Sequence, residues 1–550
     1  MPFGGFGCAN QNTQERKADE NMSEMNEALR KASIRAQYGE NKRIADGNYD
    51  KSLAVKCVNG TFVGKRTDGV VAYKGIPFVG KQPVGEYRWK APTDFAPDDG
   101  VYEAYYNAKS PCQNESITEG GSLYYQSEDC LYLNVWKADE ASSAKKPVMV
   151  WIHGGAFEMG GTSDPLYECR DFVKENPDVV VVSITYRLGA LGFLHLSHLP
   201  DGKDYPDAQN LGLMDQMMAL KWIHANIAGF GGDPDNVTIF GESAGAGSVT
   251  LLPLIEGSHA YFKRVIAQSG SPVFTRSTEQ AVACTNELME ILGCKTVADL
   301  QKIDAQKLVA ESIVLALRVW PERDGSYLPL DPYGAYAKGA AKDIDLLQGC
   351  NKDEVNYFVY GFGVEPYTAW GVDRKAKKLA ELTEEEKSLV LSFCEDIKGE
   401  TYEHTSRLFE QIVFIAPLFR LSENQTMGGG KSYTYFFTPE SSLPVMRCGH
   451  AVELASVLNR PEETIFTGRT FDETFSKTMR KMWVQFAKTG NPSLGADISP
   501  DGKAKEWPLY SLENKEWMVF DEFDIHAEKE SERKILDWDR TYFLTKYYCI

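Results

Sequence analysis

The chain has 550 residues, of which 43% are hydrophobic, so it can bury a large core in one or more domains. Its 59 Lys and Arg against 78 Asp and Glu give a formal net charge of −19, which argues against nucleic acid as a partner and against electrostatic docking to anionic membranes. No stretch approaches the ~20 continuous apolar residues that span a bilayer, so we expect no stable membrane insertion.

The N-terminal region has little apolar character. Residues 1–10 lack the basic start and apolar core of a signal peptide, which predicts a cytoplasmic protein, or a secreted one if a leader has been removed. Residues 1–48 are polar and predict an extension that is mobile or forms a surface helix. No later linker divides the chain, so residues 49–550 are predicted to form one domain.

After this extension the polar sequence gives way to short runs of alternating apolar and polar residues. Residues 53–64 alternate as in an antiparallel hairpin, which predicts a small N-terminal antiparallel sheet. Apolar runs of strand length follow at 148–152 and 179–184, and residues 212–227 show helical spacing. Strand, helix and strand in this rhythm predict an α/β fold whose central, mostly parallel sheet has helices on both faces.

The segment Asn236–Ser248 organises the rest of the chain. It reads as a strand, then Gly241-Glu242-Ser243-Ala244-Gly245, then the small-residue start of a helix. The pattern G-x-S-x-G between a strand and a helix is typical of a nucleophile elbow, in which a tight turn exposes one serine hydroxyl. Ser243 is therefore the candidate nucleophile.

A serine hydroxyl needs a base, oriented by a carboxylate. In this architecture both follow the serine, and the histidines after Ser243 are His259, His404, His450 and His526. His450 is favoured because it lies in a predicted loop after a strand, where it can lie over the sheet edge. For the acid, Asp353 and Glu354 both follow a predicted strand, and the residue pattern does not choose between them.

A negatively charged transition state also needs hydrogen-bond donors. Two glycines, Gly154 and Gly155, come directly after the buried strand 148–152, where their bare N–H groups can approach a developing oxyanion. Ala244, at the start of the helix after the nucleophile, supplies a third candidate N–H. A serine, a histidine, a carboxylate and this donor set together predict a serine hydrolase.

Ten motifs in a fixed order, including the elbow and the glycine turn, resemble the type-B carboxylesterase family, the esterase and cholinesterase branch of the α/β-hydrolases. They cover the chain from about residue 49 to 545 and comprise residues 74–78, 87–89, 128–135, 153–157, 186–189, 210–216, 231–234, 241–245, 268–271 and 352–354. The resemblance implies an α/β-hydrolase fold with helical insertions forming a gorge. It implies a small-molecule ester as substrate, and no metal or cofactor.

The resemblance also implies residue roles. It makes Ser243 the nucleophile, Glu354 the acid and His450 the base. The oxyanion donors are then Gly154, Gly155 and Ala244, and polar groups beside the triad are Glu242 and Ser269. The same likeness implies two buried structural ion pairs, Arg88 with Glu128 and Arg187 with Asp215.

Some positions depart from the family or leave a choice open. Cys112 with Cys130 and Cys284 with Cys294 match positions bridged in secreted members, and bridging here is left open. The loop 112–130 has no tryptophan of the kind on which cholinesterases stack a quaternary ammonium, so choline esters are not the expected substrates. Residues 315–320 are candidates for the acyl pocket.

The resulting hypothesis is a serine carboxylesterase that forms an acyl-enzyme on Ser243. The alternatives are a specialised esterase for bulky aromatic or lipid esters, and a non-catalytic binding member of the fold.

Overall fold

An eleven-stranded sheet forms the centre of the computed structural model, which describes residues 30–114, 124–140, 144–315, 318–369, 371, 380, 382–393, 395 and 401–532. The first strands are β1 (Ala54–Cys57), β2 (Asn59–Val63), β3 (Lys65–Thr67), β4 (Val70–Pro77), β5 (Asp98–Glu103), β6 (Ser110–Pro111), β7 (Gln126–Ser127) and β8 (Tyr132–Ala138). They are followed by β9 (Lys146–Ile152), β10 (Val180–Ile184), β11 (Gly232–Glu242), β12 (Arg264–Gln268), β13 (Asp345–Asn351), β14 (Ser432–Phe437), β15 (Glu516–Asp521) and β16 (Asp524–Lys529).

The central sheet is mostly parallel, as predicted. Its order is β16-β15-β14-β13-β12-β11-β9-β10-β8-β4-β3. The strands from β10 to β15 in this order pair in parallel, and the antiparallel pairs lie toward the two edges. All five residues of β10 are buried, because a parallel strand covered on both faces exposes neither set of side chains.

Helices cover both faces of this sheet. The helices of eight or more residues are α1 (Leu211–Asn226), α2 (Ala244–Leu251), α3 (Thr278–Leu292), α4 (Glu384–Phe393), α5 (Tyr402–Glu410), α6 (Ala416–Met427) and α7 (Glu473–Thr489). Shorter α-helices are Arg170–Glu175, Gly189–Gly192, Val297–Leu300, Ala305–Glu311, Pro332–Ala337, Asn356–Phe362 and Leu454–Val457.

Alternation along the strands divides the core into two layers. On β9, Val148 and Val150 belong to the cluster that contains Leu220 of α1, whereas Trp151 belongs to the cluster that contains Trp483 of α7. Successive side chains of a strand point to opposite faces, so each buried strand contributes to both layers. This explains why the central strands read as continuous apolar runs in the sequence.

Local sequence also sets where the helices begin and end. Helix α3 begins with a capping box between Ser277 and Gln280 and ends at Gly293, which has a left-handed conformation. The side chain of Asp472 caps the N-terminus of α7, and Gly490 ends it in the same left-handed conformation. These caps satisfy backbone groups that a helix leaves unpaired at its ends.

The small N-terminal sheet was predicted to be antiparallel, and this prediction is wrong for one of its strands. Strands β1 and β2 form the expected antiparallel hairpin, but β5 pairs with β2 in parallel, so the small sheet is mixed. Strand β5 comes 35 residues after β2 in the chain, and its direction is set by packing that local alternation does not encode. Of the predicted extension 1–48, residues 1–29 lie outside the described residues.

Two predicted ion pairs are buried in this scaffold. The guanidinium of Arg187 lies 2.6 Å from the carboxylate of Asp215, and both side chains are almost fully buried. Arg88 forms two bonds of 2.5 Å with Glu128. Paired, bidentate contacts of this kind satisfy charges that would be costly to bury alone.

The four cysteines at the candidate bridging positions form no disulfide bonds. Cys112, Cys130, Cys284 and Cys294 are all unbridged, which answers for this structure the choice that the sequence left open. The thiol of Cys284 faces the carbonyl of Arg318 instead, at 3.7 Å. Among the described residues, no helix is both long enough and apolar enough to cross a membrane.

Candidate active site

Ser243 lies in a strained turn at the carboxyl end of β11. Its backbone has φ 55° and ψ −121°, which is rare for a residue with a side chain, and helix α2 begins at the next residue. A Cβ atom built on Gly241 would lie 2.6 Å from the carbonyl oxygen of Ile152, and one on Gly245 would lie 2.0 Å from the same atom. Only glycine fits on either side of the serine, because the turn packs against the end of β9.

The carboxylate of Glu354 orients the imidazole of His450. The Oε2 atom of Glu354 lies 2.5 Å from Nδ1 of His450, and the backbone N–H of Asn351 donates to the other carboxylate oxygen at 2.6 Å. Asp353 faces elsewhere, toward the backbone N–H of Cys448 at 3.4 Å. The geometry therefore separates the two adjacent carboxylates that the sequence left as alternatives.

A second carboxylate faces the other nitrogen of the same ring. The Oε1 atom of Glu242 lies 3.0 Å from Nε2 of His450. Since Glu242 immediately precedes Ser243, this contact directs Nε2 toward the turn that holds the serine. The base is thus held between one carboxylate on β11 and another that follows β13.

Glu453 is a third buried carboxylate in this cluster, and the sequence analysis missed it. It accepts hydrogen bonds from the side-chain amides of Gln268, at 3.0 Å, and Asn351, at 2.7 Å. Burial, together with the charges of Glu242 and Glu354, raises the pKa of Glu453 to about 7. Its position three residues after the candidate base, His450, is the signal in the sequence that could have identified it.

The three carboxylates set the electrostatics of the site. Burial alone would lower the pKa of His450, but the nearby charges of Glu242 and Glu354 outweigh burial and raise that pKa well above its ordinary value. The imidazolium form is therefore strongly stabilised. A site with this property favours the transfer of a proton onto the ring.

The two candidate oxyanion glycines lie beside the nucleophile. A Cβ atom on Gly154 would lie 3.0 Å from the Cβ of Ser243, and Gly155 has φ 101°. The N–H groups in the first turn of a helix lack intrahelical acceptors, which leaves that of Ala244 available next to the serine. The structure thus brings Gly154 against the elbow that holds Ser243 and Ala244, and Gly155 follows Gly154 in the same turn.

His153 fixes the backbone of this glycine turn. Its Nδ1 lies 2.9 Å from the carbonyl oxygen of Gly154, and its ring stacks on Tyr186 with 4.6 Å between centroids. Burial lowers the pKa of His153 to about 4, so the ring is neutral at pH 7 and Nδ1 donates to the carbonyl. The hydroxyl of Tyr186 donates to the carbonyl of His153 at 2.8 Å, which holds the turn from its other side.

Ser269 lies at the end of the neighbouring strand β12. Its backbone also has a positive φ, 56°, and its N–H donates to the carbonyl of Gly349 at 2.8 Å. Its hydroxyl is buried and has no hydrogen-bond partner among the described residues. The nucleophile, Ser269, the acid and the base follow the carboxyl ends of β11, β12, β13 and β14, which are consecutive in the sheet.

An aromatic wall flanks the imidazole and was not found from the sequence. The ring of Phe414 lies 5.1 Å from that of His450, Phe274 packs on Phe414 at 6.0 Å, and Trp320 packs on Phe274 at 5.5 Å. Phe414 belongs to a π-helical turn, Gln411–Ile415, a distortion that often occurs at functional sites. Of the predicted pocket segment 315–320, Trp320 joins this wall, and residues 316 and 317 lie outside the described residues.

Comparisons with known proteins identify the family of the chain. The profile of the carboxylesterase family matches residues 51–535. Para-nitrobenzyl esterase of Bacillus subtilis is 35% identical over 497 residues, covering 86% of this chain and 96% of that protein. Cholinesterase of Mus musculus is 31% identical over 497 residues, covering 82% of this chain and 79% of that protein.

Solved structures show the same relationship. The crystal structure of the Geobacillus stearothermophilus carboxylesterase EST55 at pH 6.2 superposes with a TM-score of 0.76 and 34% identity, covering 89% of this chain and 99% of that chain. The predicted α/β-hydrolase fold is confirmed. The chain belongs to the carboxylesterase family and is a serine hydrolase of carboxylic esters.

Proposed function

We propose that this esterase works through an acyl-enzyme on Ser243, with His450 as general base and Glu354 as the acid that orients it. The observation that carries the proposal is the imidazole of His450, held between Glu354 and Glu242 beside the nucleophile turn. Residues 49–550 are proposed to act as one catalytic domain.

In the first step, the Oγ of Ser243 attacks the ester carbonyl carbon and its proton passes to Nε2 of His450. Glu354 accepts a hydrogen bond from Nδ1–H and stabilises the imidazolium. The charge of Glu242 stabilises the same cation from the other side. The tetrahedral intermediate then collapses, and His450 returns the proton to the departing alcohol.

The negative charge of the intermediate falls on the former carbonyl oxygen. The N–H groups of Gly154, Gly155 and Ala244 are proposed to bind that oxygen. The neutral ring of His153 holds the Gly154 carbonyl and so keeps the glycine turn in one conformation. In the second step His450 takes a proton from water as the water oxygen attacks the acyl carbon. The bond from that carbon to Oγ of Ser243 then breaks, His450 returns the proton to Oγ, and the acid leaves.

A narrower candidate is an esterase specialised for bulky aromatic esters. The wall of Phe274, Trp320 and Phe414 favours it, because aromatic rings pack well against planar substituents. Hydrolysis rates on p-nitrophenyl esters of increasing acyl length, one aromatic ester and one choline ester distinguish the candidates. The choline ester is expected to be the poorest substrate.

The free thiols support the expectation of a cytoplasmic location. The unbridged and buried thiols include those of Cys57, Cys112, Cys130, Cys169, Cys284 and Cys448. Reducing compartments keep thiols in this state. Fluorescence microscopy of the tagged full-length chain in its own cells tests this location.

Covalent labelling tests the central assignment. A fluorophosphonate probe is expected to label the wild-type chain once, and Ser243→Ala is expected to abolish that label. Ser197→Ala is the matched control, since Ser197 contacts His195 at 3.0 Å and His195 contacts Glu322 at 2.8 Å, but Ser197 is not in a nucleophile elbow. Labelling that survives in Ser243→Ala and disappears in Ser197→Ala would show the assignment to be wrong.

A further inference from the structure

Residues 30–48, here called the N-terminal strap, pack on the catalytic domain although the family profile begins only at residue 51. The strap starts with a helical turn in which Ile34 is fully buried. The hydroxyl of Tyr38 lies 2.9 Å from that of Ser110 and 2.6 Å from that of Ser163. The strap is therefore fastened by apolar and polar contacts at a place that the family match does not cover.

Arg30 makes the strongest of these contacts. Its guanidinium donates to both carboxylate oxygens of Asp164, at 2.6 and 2.7 Å, and to Glu463 at 2.9 Å. Only 14% of the Arg30 side chain is exposed, so water screens these charges little. Asp164 also accepts from the hydroxyl of Tyr124 at 2.8 Å and from the N–H of Leu166 at 3.0 Å.

Asp164 belongs to the loop 160–167, which contacts His153 at two points. A Cβ atom on Gly160 would lie 2.5 Å from Nδ1 of His153, so this loop packs tightly against the ring. The ring of Tyr167 lies 6.5 Å from that of His153 and nearly parallel to it. The loop thus determines where the imidazole of His153 can lie.

The segment that follows strand β6 also holds the loop 160–167. The side chain of Gln113 forms two hydrogen bonds of 2.8 Å with the backbone of Gly160. A continuous series of contacts therefore runs from Arg30 through Asp164 and His153 to Gly154, which lies against Ser243. Interlocked, buried contacts of this kind transmit a displacement, because packed interiors do not absorb one locally.

We propose that Arg30 is a positioning residue for the oxyanion hole, which it controls by anchoring the loop 160–167 through Asp164. This inference rests on the proposed role of Gly154 as an oxyanion donor. A displaced donor weakens binding of the tetrahedral intermediate more than binding of the planar ester. The expected signature is therefore a loss of kcat with little change of KM.

The test measures Arg30→Gln in the full-length chain. We expect kcat to fall about 10- to 100-fold, the range expected when a catalytic donor is misplaced, with KM within about twofold of wild type. The inhibition constant of an aryl trifluoromethyl ketone, which forms a tetrahedral adduct on serine, is expected to rise by the same factor. The matched control is Arg66→Gln. Arg66 lies on edge strand β3 and pairs with Asp139, so its replacement is expected to leave kcat and the inhibition constant unchanged.

Two milder variants keep the test decisive if Arg30→Gln folds poorly. Arg30→Lys retains the charge but has no second nitrogen with which to contact Asp164 and Glu463 together. Tyr38→Phe removes one hydroxyl. Both variants are expected to lower kcat less than Arg30→Gln does. A lower melting temperature with unchanged kcat and unchanged ketone inhibition would show a merely structural role and overturn the inference. Normal fluorophosphonate labelling of Ser243 in that same experiment would leave the proposed function intact, whereas an unlabelled wild-type chain would overturn both.

Discussion

The scaffold and the active site both bury charges, but in different proportions. In the scaffold the buried cation of Arg187 has one carboxylate of its own, that of Asp215. In the site, two carboxylates, Glu242 and Glu354, both face the single imidazole of His450, and a third, Glu453, is buried close to those two carboxylates. An ion pair of one cation and one carboxylate keeps its protonation state, whereas an excess of negative charge favours the uptake of a proton. The imbalance therefore distinguishes the reactive cluster from the structural one.

Ser243→Ala should give the largest functional effect. Removing the hydroxyl eliminates the covalent step, so turnover is expected to fall by ~10⁴-fold or more. The charge cluster and the fold do not depend on that hydroxyl, so the melting temperature is expected to stay within about 2 °C of wild type. Steady-state hydrolysis of p-nitrophenyl acetate measures the turnover, and a thermal melt measures the melting temperature. Near-normal turnover would contradict the assignment of the site.

Asp215→Ala should lower stability and leave activity unchanged, the opposite of Ser243→Ala. It leaves the guanidinium of Arg187 buried without its partner, which is expected to lower the free energy of unfolding by about 3–5 kcal/mol. Urea denaturation measures this loss, and kcat/KM per folded molecule is expected to remain near that of wild type. The control is Asp139→Ala, which breaks an exposed pair with Arg66 and should lower the free energy of unfolding far less, because water and salt screen exposed charges. An equal loss in both variants would contradict the distinction drawn here.

Phe414→Ala should change selectivity rather than chemistry. Removing the ring 5.1 Å from His450 opens space beside the base, so the ratio of kcat/KM for p-nitrophenyl hexanoate over acetate is expected to rise about tenfold. The control, Phe471→Ala, removes a ring that packs on Phe437 and should leave the ratio unchanged. A ratio that stays constant in Phe414→Ala would exclude the aromatic wall from the acyl pocket.

Glu242→Gln should produce the smallest change, a displacement of the pH profile. The negative charge of Glu242 raises the pKa of His450, so its removal lowers that pKa and the neutral base persists to lower pH. The acidic limb of kcat/KM against pH is expected to move toward lower pH. Glu440→Gln, a change at an exposed carboxylate that contacts Lys352, is the control. A limb that moved toward higher pH would contradict the assigned electrostatics.

The sequence predicted best what depends on local pattern. The strand predicted at 179–184 agrees within one residue with β10, because five consecutive buried residues leave a clear apolar run in the sequence. The elbow around Ser243 was recognisable because a tight turn demands glycine at fixed positions. The resemblance then assigned Glu354 over Asp353, a choice that depends on side-chain direction and that residue spacing alone does not encode.

Features produced by long-range packing were missed. Phe414 is one apolar residue among many in its segment, and only the folded chain brings it to His450, 36 positions away in the chain. Glu453 and Arg30 resemble ordinary surface charges in the sequence, and their burial depends on partners such as Gln268 and Asp164. The parallel pairing of β5 was missed for the same reason.

The placement of the site across four consecutive strands has a consequence for refolding. The candidate nucleophile follows β11 and the candidate base follows β14, so the groups meet only after strands separated by about 200 residues have paired. Pairing over such sequence separations is slow, because loop closure comes before the contacts that reward it. Ester hydrolysis should therefore recover late in refolding. Hydrolysis of a p-nitrophenyl ester should be detected only after far-UV circular dichroism has regained most of its native amplitude.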